Sequence, residues 1–90
     1  MAVFQRTVEV ALCARFRGKA PAHVQVGGTF SNWQLLDAAW DNDTKQWTAR
    51  VRAARGVHMY KWFADGVWTL AEEADTTFDQ AGNKNHALYV

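Results

Sequence analysis

Short runs of alternating hydrophobic and polar residues, each ended by a turn, constrain the fold of this chain more than any other feature. Residues 46–53 alternate cleanly. In residues 7–16 one side carries the apolar residues Val8, Val10, Leu12, Ala14 and Phe16. Successive side chains of a β-strand point to opposite faces, so a period of two predicts half-buried strands. No segment keeps a helical period over three turns, and the sequence therefore predicts an all-β chain.

Turn residues separate these runs at regular intervals. Asp65-Gly66 is a strong signal for a two-residue hairpin, because both central residues of that turn need positive φ. A short strand over residues 23–26 is expected to end at Gly27-Gly28, followed by a loop over residues 29–33. Six or seven such strands predict an immunoglobulin-like antiparallel β-sandwich, formed as a single domain over residues 1–90.

Charge and cysteine content argue against several classes of function. A net charge of +1 gives no basic stripe for nucleic acid, and Arg50, Arg52 and Arg55 are expected on a solvated face. No apolar run approaches the roughly 20 residues that span a bilayer, so no membrane partner is expected. The single Cys13 cannot form an internal disulfide, and no secretory signal opens the chain. These features favour the cytoplasm, or a plastid in a plant or alga.

Reactive side chains do not converge in the sequence. Cys13 has no evident histidine partner, and the three histidines fall on separate predicted strands without metal-ligand spacing. The carboxylates of residues 72–79 lie in a polar stretch that is expected to be a solvated loop. We therefore expect a protein that is not an enzyme and that holds neither a cofactor nor a metal.

Five tryptophans are many for a chain of 90 residues. Trp47 and Trp62 are in phase with core positions, and Trp40 is also expected in the core. Trp33 lies in a polar loop and Trp68 beside the predicted hairpin turn, where core packing does not demand them. For Trp33 and Trp68 the sequence favours neither a role in the core nor a role in a binding surface over the other. A flat indole can cover the axial C–H groups of a sugar ring and remove apolar area from water.

Three motifs, in order, resemble those of a known family. They are VGGTFSNW at residues 26–33, YKWFADGVW at residues 60–68 and GNKNHALYV at residues 82–90. They are similar to the glycogen-binding carbohydrate-binding modules of AMP-activated protein kinase β subunits and of starch and glycogen branching enzymes. The resemblance covers about residues 22–90 and implies an early-set immunoglobulin-like sandwich.

The resemblance also implies a ligand and the residues that bind it. It implies non-catalytic binding of α-1,4-linked glucan, as glycogen, starch or a maltooligosaccharide, with a kinase or glucan-metabolising enzyme as a further partner. Trp33 and Trp68 would stack on sugar rings, while Lys61 and Asn85, both expected to face outward, would bind hydroxyls.

Two positions depart from the family pattern. Ala81 stands where the kinase modules carry a leucine that contacts the sugar, and Asn83 stands where they carry a threonine. The alternative is a protein-interaction domain that kept the fold and lost sugar binding, which Ala81 mildly favours.

Overall fold

The computed structural model describes residues 6–90, which form two antiparallel sheets. The strands are β1 (Thr7–Ala14), β2 (Val24–Gly28), β3 (Leu36–Asp37), β4 (Ala39–Asp41), β5 (Gln46–Ala54), β6 (Val57–Ala64), β7 (Val67–Thr69), β8 (Thr76–Phe78) and β9 (Lys84–Tyr89). A 3-10 helix, Thr29–Ser31, follows β2. The smaller sheet has the order β1-β5-β4, and the larger has the order β3-β2-β6-β9-β8 with β7 beside β6. The predicted all-β sandwich is confirmed.

Alternating side chains from both sheets form one core. The smaller sheet contributes Leu12, Ala14, Ala49 and Val51, and the larger contributes Val24, Val26, Tyr60 and Trp62. The ring of Trp62 is fully buried and meets Phe16 edge to face, with 6.1 Å between ring centroids. Burying an aromatic side chain of this size contributes roughly 3 kcal/mol, which makes Trp62 the central apolar anchor between the sheets.

The same alternation decides which residues lie on the outer face of the larger sheet. Because Tyr60 and Trp62 point into the core, Lys61 and Phe63 point outward from β6. The pairing register places Gly27 of β2 beside Lys61. The alternation predicted for this strand is confirmed, and it brings residues of β2 and β6 together on one open surface.

The strand was expected to stop at Val26, before the two glycines, which is wrong, because β2 continues through Gly27 and ends at Gly28. Gly28 pairs with Tyr60 of β6 and is buried. A Cβ at Gly28 would lie 2.7 Å from the carbonyl oxygen of Met59 and 2.7 Å from the ring of Phe30. The glycine is needed here for close approach of neighbouring groups inside a strand.

Two of the three tryptophans that were expected in the core lie deeper than the third. Trp62 is buried as predicted, and Trp47 is half-buried against the core. Trp40 is 47% exposed, so its prediction is wrong. Trp40 lies directly opposite Trp47 in the pairing register, so both side chains point to the same face of the sheet. However, β4 is a three-residue strand at the edge of that sheet. No further strand of the described chain covers the ring on that side.

The predicted domain includes residues 1–5, which lie outside the part of the chain that the structure describes. Across residues 6–90 there is no helix with the length and apolar character to cross a membrane. Those residues also hold no group of three or more His, Cys, Asp or Glu side chains arranged to bind a metal ion.

Candidate functional site

Trp33 and Trp68 lie together on the outer face of the larger sheet. Their ring centroids are 6.2 Å apart and their planes meet at 75°. Both rings are open to solvent, Trp33 at 40% and Trp68 at 44% of their full exposure. Two indoles at this angle form a bent apolar surface rather than a flat one.

Trp33 is held by an unusual stretch of backbone. Asn32 and Trp33 both have positive φ, 52° and 62°. A bulky residue in the left-handed region costs on the order of 1–2 kcal/mol, so neighbouring contacts must hold it there. The N–H of Trp33 donates to the carbonyl of Gly28 at 2.8 Å, and the Ser31 hydroxyl donates to the carbonyl of Gln34 at 2.8 Å. Strain of this kind often marks a functional loop.

Trp68 reaches the same face from the hairpin between β6 and β7. Asp65 and Gly66 have φ of 48° and 81°, so the predicted two-residue turn is confirmed. The Asp65 carboxylate accepts the backbone N–H groups of Ala22 at 3.0 Å and His23 at 2.9 Å. These bonds fix the hairpin to the start of β2, and with it the position of Trp68.

The missing side chain of Gly27 lets Trp68 lie close to β2. A Cβ at Gly27 would come within 3.2 Å of the carbonyl oxygen of Trp33 and 3.3 Å of Cη2 of Trp68. The sequence prediction took this glycine only as a strand end and missed its role. A glycine inside a strand pattern was the available signal, because it often marks close approach of another group.

Phe63 and Lys61 continue the surface along β6. The rings of Phe63 and Trp68 are 5.1 Å apart, so Phe63 supports Trp68 from the neighbouring strand. Lys61 is half-buried on the same outer face, between β2 and β9. Lys61 therefore lies on the face of the sheet that also carries the two indoles.

Asn85 of β9 joins this surface but is not open to solvent. Tyr60 pairs with His86 in the antiparallel register, so the next pair is Lys61 with Asn85, on the outer face. Asn85 is only 4% exposed; it pairs with Thr77 of β8, and its amide lies 3.5 Å from the Asp79 carboxylate. Asn85 was expected to face outward, and its strand and face are as expected, but neighbouring groups cover its side chain.

Asp79 organises the loop that carries Ala81 and Asn83. Its Oδ1 accepts the backbone N–H groups of Ala81 at 2.9 Å and Asn83 at 2.8 Å. The N–H of Asn83 is the main cause that lowers the pKa of the Asp79 carboxyl. Asp79 had been expected to be one solvated carboxylate among several, and the sequence carries no signal that separates it from the others. The structure leaves Ala81 and Asn83 exposed at the loop tip.

His86 lies behind the surface, fully buried in the sandwich. Its Nδ1 lies 3.2 Å from the carbonyl oxygen of Asp75 and its Nε2 accepts the N–H of Ala71 at 2.9 Å. This arrangement fits the neutral ring, with the proton on Nδ1. Burial, followed by the nearby charge of Lys61, lowers the pKa of His86. His86 therefore supports β9 as an uncharged part of the core.

The chemistry of this surface is that of binding. It offers flat apolar rings, one amine and amide groups, which suit a ligand with a C–H face and several hydroxyls. Elsewhere, the exposed Cys13 contacts the Thr48 hydroxyl at 3.8 Å and has no histidine beside it among the described residues.

Comparison with known proteins gives two findings. A family model described as the glycogen recognition site of AMP-activated protein kinase matches residues 13–90. The β-1 subunits of 5'-AMP-activated protein kinase from Bos taurus, Rattus norvegicus and Homo sapiens are each 30% identical over 67 residues. This covers 74% of the chain but 24% of each relative, so the chain spans about a quarter of their length. The resemblance inferred from the three motifs is confirmed.

Proposed function

Because this chain belongs to the family of glycogen recognition sites of AMP-activated protein kinase, we propose that it binds α-1,4-linked glucan through Trp33 and Trp68. A carbohydrate-binding module of this kind is non-catalytic, and we propose no reaction for the chain. The observation that carries the proposal is the angled indole pair, open to solvent and 6.2 Å between centroids, with Lys61 on the same face.

The two rings suit a curved chain of sugars. An α-1,4-linked glucan bends continuously, so neighbouring glucose rings present their C–H faces at different angles. Planes that meet at 75° can each cover one such face, which a single flat platform cannot do. Removal of this apolar area from water drives the contact, and the fixed ring positions limit its entropic cost.

Polar side chains would hold the hydroxyls around the rings. We assign this role to Lys61 and to Asn85, whose amide is already oriented by Asp79. Asn83 lies exposed in the loop and offers a further amide. Ala81 offers only a methyl group, so we propose that it contacts the sugar less than a leucine at this position would.

Binding at one site should be weak. Protein–sugar hydrogen bonds replace equally good bonds to water, which leaves a small net gain and a dissociation constant on the order of micromolar to millimolar. A polymer with many chain ends raises the apparent affinity by avidity. A weak, multivalent contact of this kind suits the targeting of an attached or partner kinase, or another glucan-metabolising enzyme, to glycogen or starch.

Native gel electrophoresis in the presence of glycogen tests the proposal. We expect glycogen to retard the wild-type chain, and expect Trp33→Ala and Trp68→Ala each to remove most of the retardation. Phe78→Ala is the matched control, because Phe78 is an exposed aromatic residue on the edge strand β8, which β9 separates from β6 in the sheet. Unchanged migration of the wild type in glycogen would remove the proposal and favour a protein-interaction domain without sugar binding.

Titration with maltoheptaose separates the same two functions without a variant. A glucan-binding chain should show saturable quenching of tryptophan fluorescence, whereas an interaction domain should not. The cytoplasmic or plastid location stays a prediction, which microscopy of the tagged full-length protein would test.

A further inference from the structure

A second pair of tryptophans lies on the other sheet. Trp40 and Trp47 are direct partners in the register of β4 and β5. Their ring centroids are 5.7 Å apart and their planes meet at 65°, close to the geometry of the Trp33–Trp68 pair. Trp40 is 47% exposed, more than either ring of the first pair. Neither the core nor the proposed function accounts for an open indole at this position.

The exposed ring borders a cleft of about 170 Å³. Its lining includes Arg15, Phe16, Pro21, Trp40, Lys45 and Trp47. Sites that enclose a whole small molecule are usually larger, roughly 300–1,000 Å³, so this cleft fits about one ring of a longer ligand. Trp47 packs against the core, which anchors the wall on which Trp40 lies.

The polar groups at the cleft are held in place. Arg15 Nη2 donates to the carbonyl of Thr44 at 3.0 Å, and Lys45 Nζ donates to Asn42 Oδ1 at 2.8 Å. The Asp41 carboxylate accepts the N–H of Asp43 at 2.9 Å and closes the turn that carries Lys45. The cleft therefore combines a fixed aromatic wall with ordered hydrogen-bond donors.

We propose that the Trp40–Trp47 cleft is a second carbohydrate-binding site, which takes one glucosyl unit of an α-glucan chain. A neutral ring suits the cleft better than a simple anion, because Arg15 and Lys45 already donate to neutral oxygens and three aromatic rings line the wall. The donors that remain on these two side chains can reach sugar hydroxyls, while Trp40 covers the C–H face.

Two sites on separate sheets change how the module holds a polymer. The first pair belongs to the larger sheet and the second to the smaller. One glucan particle carries many chains, so a second contact becomes intramolecular once the first has formed. Even a weak second site then raises the apparent affinity for the polymer more than that for a short oligosaccharide.

Proton–nitrogen NMR of the indole groups tests the two sites separately. The five indole N–H signals are assigned from single Trp→Phe variants, and maltoheptaose is added to the wild-type chain. We expect saturable shifts of the Trp40 and Trp47 signals, and expect them to persist in Trp33→Ala/Trp68→Ala. Signals of Trp40 and Trp47 that stay fixed at millimolar maltoheptaose would overturn the second site. Shifts that appear with sodium sulfate and not with maltoheptaose would overturn it as well, in favour of an anion site.

The outcomes also distinguish this inference from the proposed function. If only Trp33 and Trp68 respond, the proposed function stands and the second site fails. If only Trp40 and Trp47 respond, the second site stands and the assignment of the first pair fails.

Glycogen binding gives a second readout. We expect Trp40→Ala to weaken retardation by glycogen about three- to ten-fold, with Phe78→Ala as the unchanged control. Because Trp40 is exposed on an edge strand, the variant should keep the thermal midpoint within a few degrees. A folded Trp40→Ala variant with full retardation would contradict the proposal.

Discussion

The two indole pairs have similar ring geometry and are built in different ways. Trp33 and Trp68 meet from a left-handed loop and a tight hairpin, with Gly27 between them. Trp40 and Trp47 are neighbours in an ordinary antiparallel ladder. The first pair therefore depends on residues that never touch the proposed ligand, while the second depends almost wholly on its own rings and on its edge position.

This difference shows why exposure alone is a poor guide to function. Trp40 is the more exposed residue, yet its opening follows from a short edge strand that no other strand within residues 6–90 covers. The first pair is open because specific contacts hold each ring: a strained backbone fixes Trp33, and the hydrogen-bonded Asp65 carboxylate fixes the hairpin that carries Trp68. Strain that is kept in place by specific contacts is stronger support for a binding role than exposed area.

The largest expected effect is that of removing one ring of the first pair. Trp68→Ala should raise the dissociation constant for maltoheptaose roughly thirty-fold, which is about 2 kcal/mol of lost apolar contact. Trp40→Ala should leave the dissociation constant for maltoheptaose at the first site nearly unchanged. Calorimetric titration of both variants measures the contrast. Equal losses in the two variants would mean that the pairs do not differ as described.

Acid should act on the strand behind the first pair. Burial lowers the pKa of His86 from its ordinary 6.5, so the unfolded chain takes up a proton that the folded chain resists. Stability is therefore complete above about pH 6.5 and falls as the pH drops below it, by at most about 1.4 kcal/mol per pH unit. Thermal melts followed by circular dichroism measure this slope.

Variants of two histidines make the acid test specific. His86→Gln should lower the midpoint at neutral pH and flatten its dependence on pH. His23→Gln removes an exposed histidine instead and serves as the comparison. The acid test does not concern the Trp40–Trp47 cleft, because no histidine within residues 6–90 lines it. An unchanged slope in His86→Gln would contradict the role given to this ring.

A methyl group at Gly27 should disturb the first pair without contact to the ligand. The new Cβ would lie 3.3 Å from Cη2 of Trp68, so the ring must shift by a few tenths of an ångström. We expect Gly27→Ala to weaken maltoheptaose binding about five-fold, with little effect on the Trp40 and Trp47 indole signals.

Gly28→Ala is the matched comparison in the same strand. Its Cβ would meet the backbone oxygen of Met59 at 2.7 Å, which cannot move away easily. We expect this variant to lose about 1–3 kcal/mol of folding stability. Chemical denaturation of both variants separates the two effects, and a Gly27→Ala variant with wild-type affinity would show that Trp68 does not rely on the close approach.

The smallest effect should be a gain. Ala81→Leu adds apolar surface at the tip of the loop that Asp79 organises. If the loop borders the bound sugar, maltoheptaose affinity should rise about three-fold and the second cleft should stay unchanged. Ala20→Leu, at an exposed position lining the second cleft, serves as the comparison. A change confined to Ala20→Leu would place the loop away from the sugar.

Much of the fold was predictable because its signals are local. The period of two identified β1, β5 and β6, and Asp65-Gly66 identified the hairpin that carries Trp68. The motifs identified the family. The errors come from interactions that a single strand does not encode. The exposure of Trp40 depends on which strand lies at the edge of its sheet, and the burial of Asn85 is not visible in the alternation of its own strand.

The candidate site shows the same division. Trp33, Trp68 and Lys61 were predictable as a group because the motifs contain them. Gly27 and Asp79 were missed because their roles arise from contacts across strands and within a loop. Alternation gives the face on which a residue lies, but not what covers it.

A crystal structure of the chain with bound maltoheptaose tests the central claim most directly. The account predicts glucose rings against the indole faces of Trp33 and Trp68, at about 4 Å, with the Lys61 amine at a sugar hydroxyl. An occupied sugar found elsewhere on the molecule, with both indole faces bare, would contradict it.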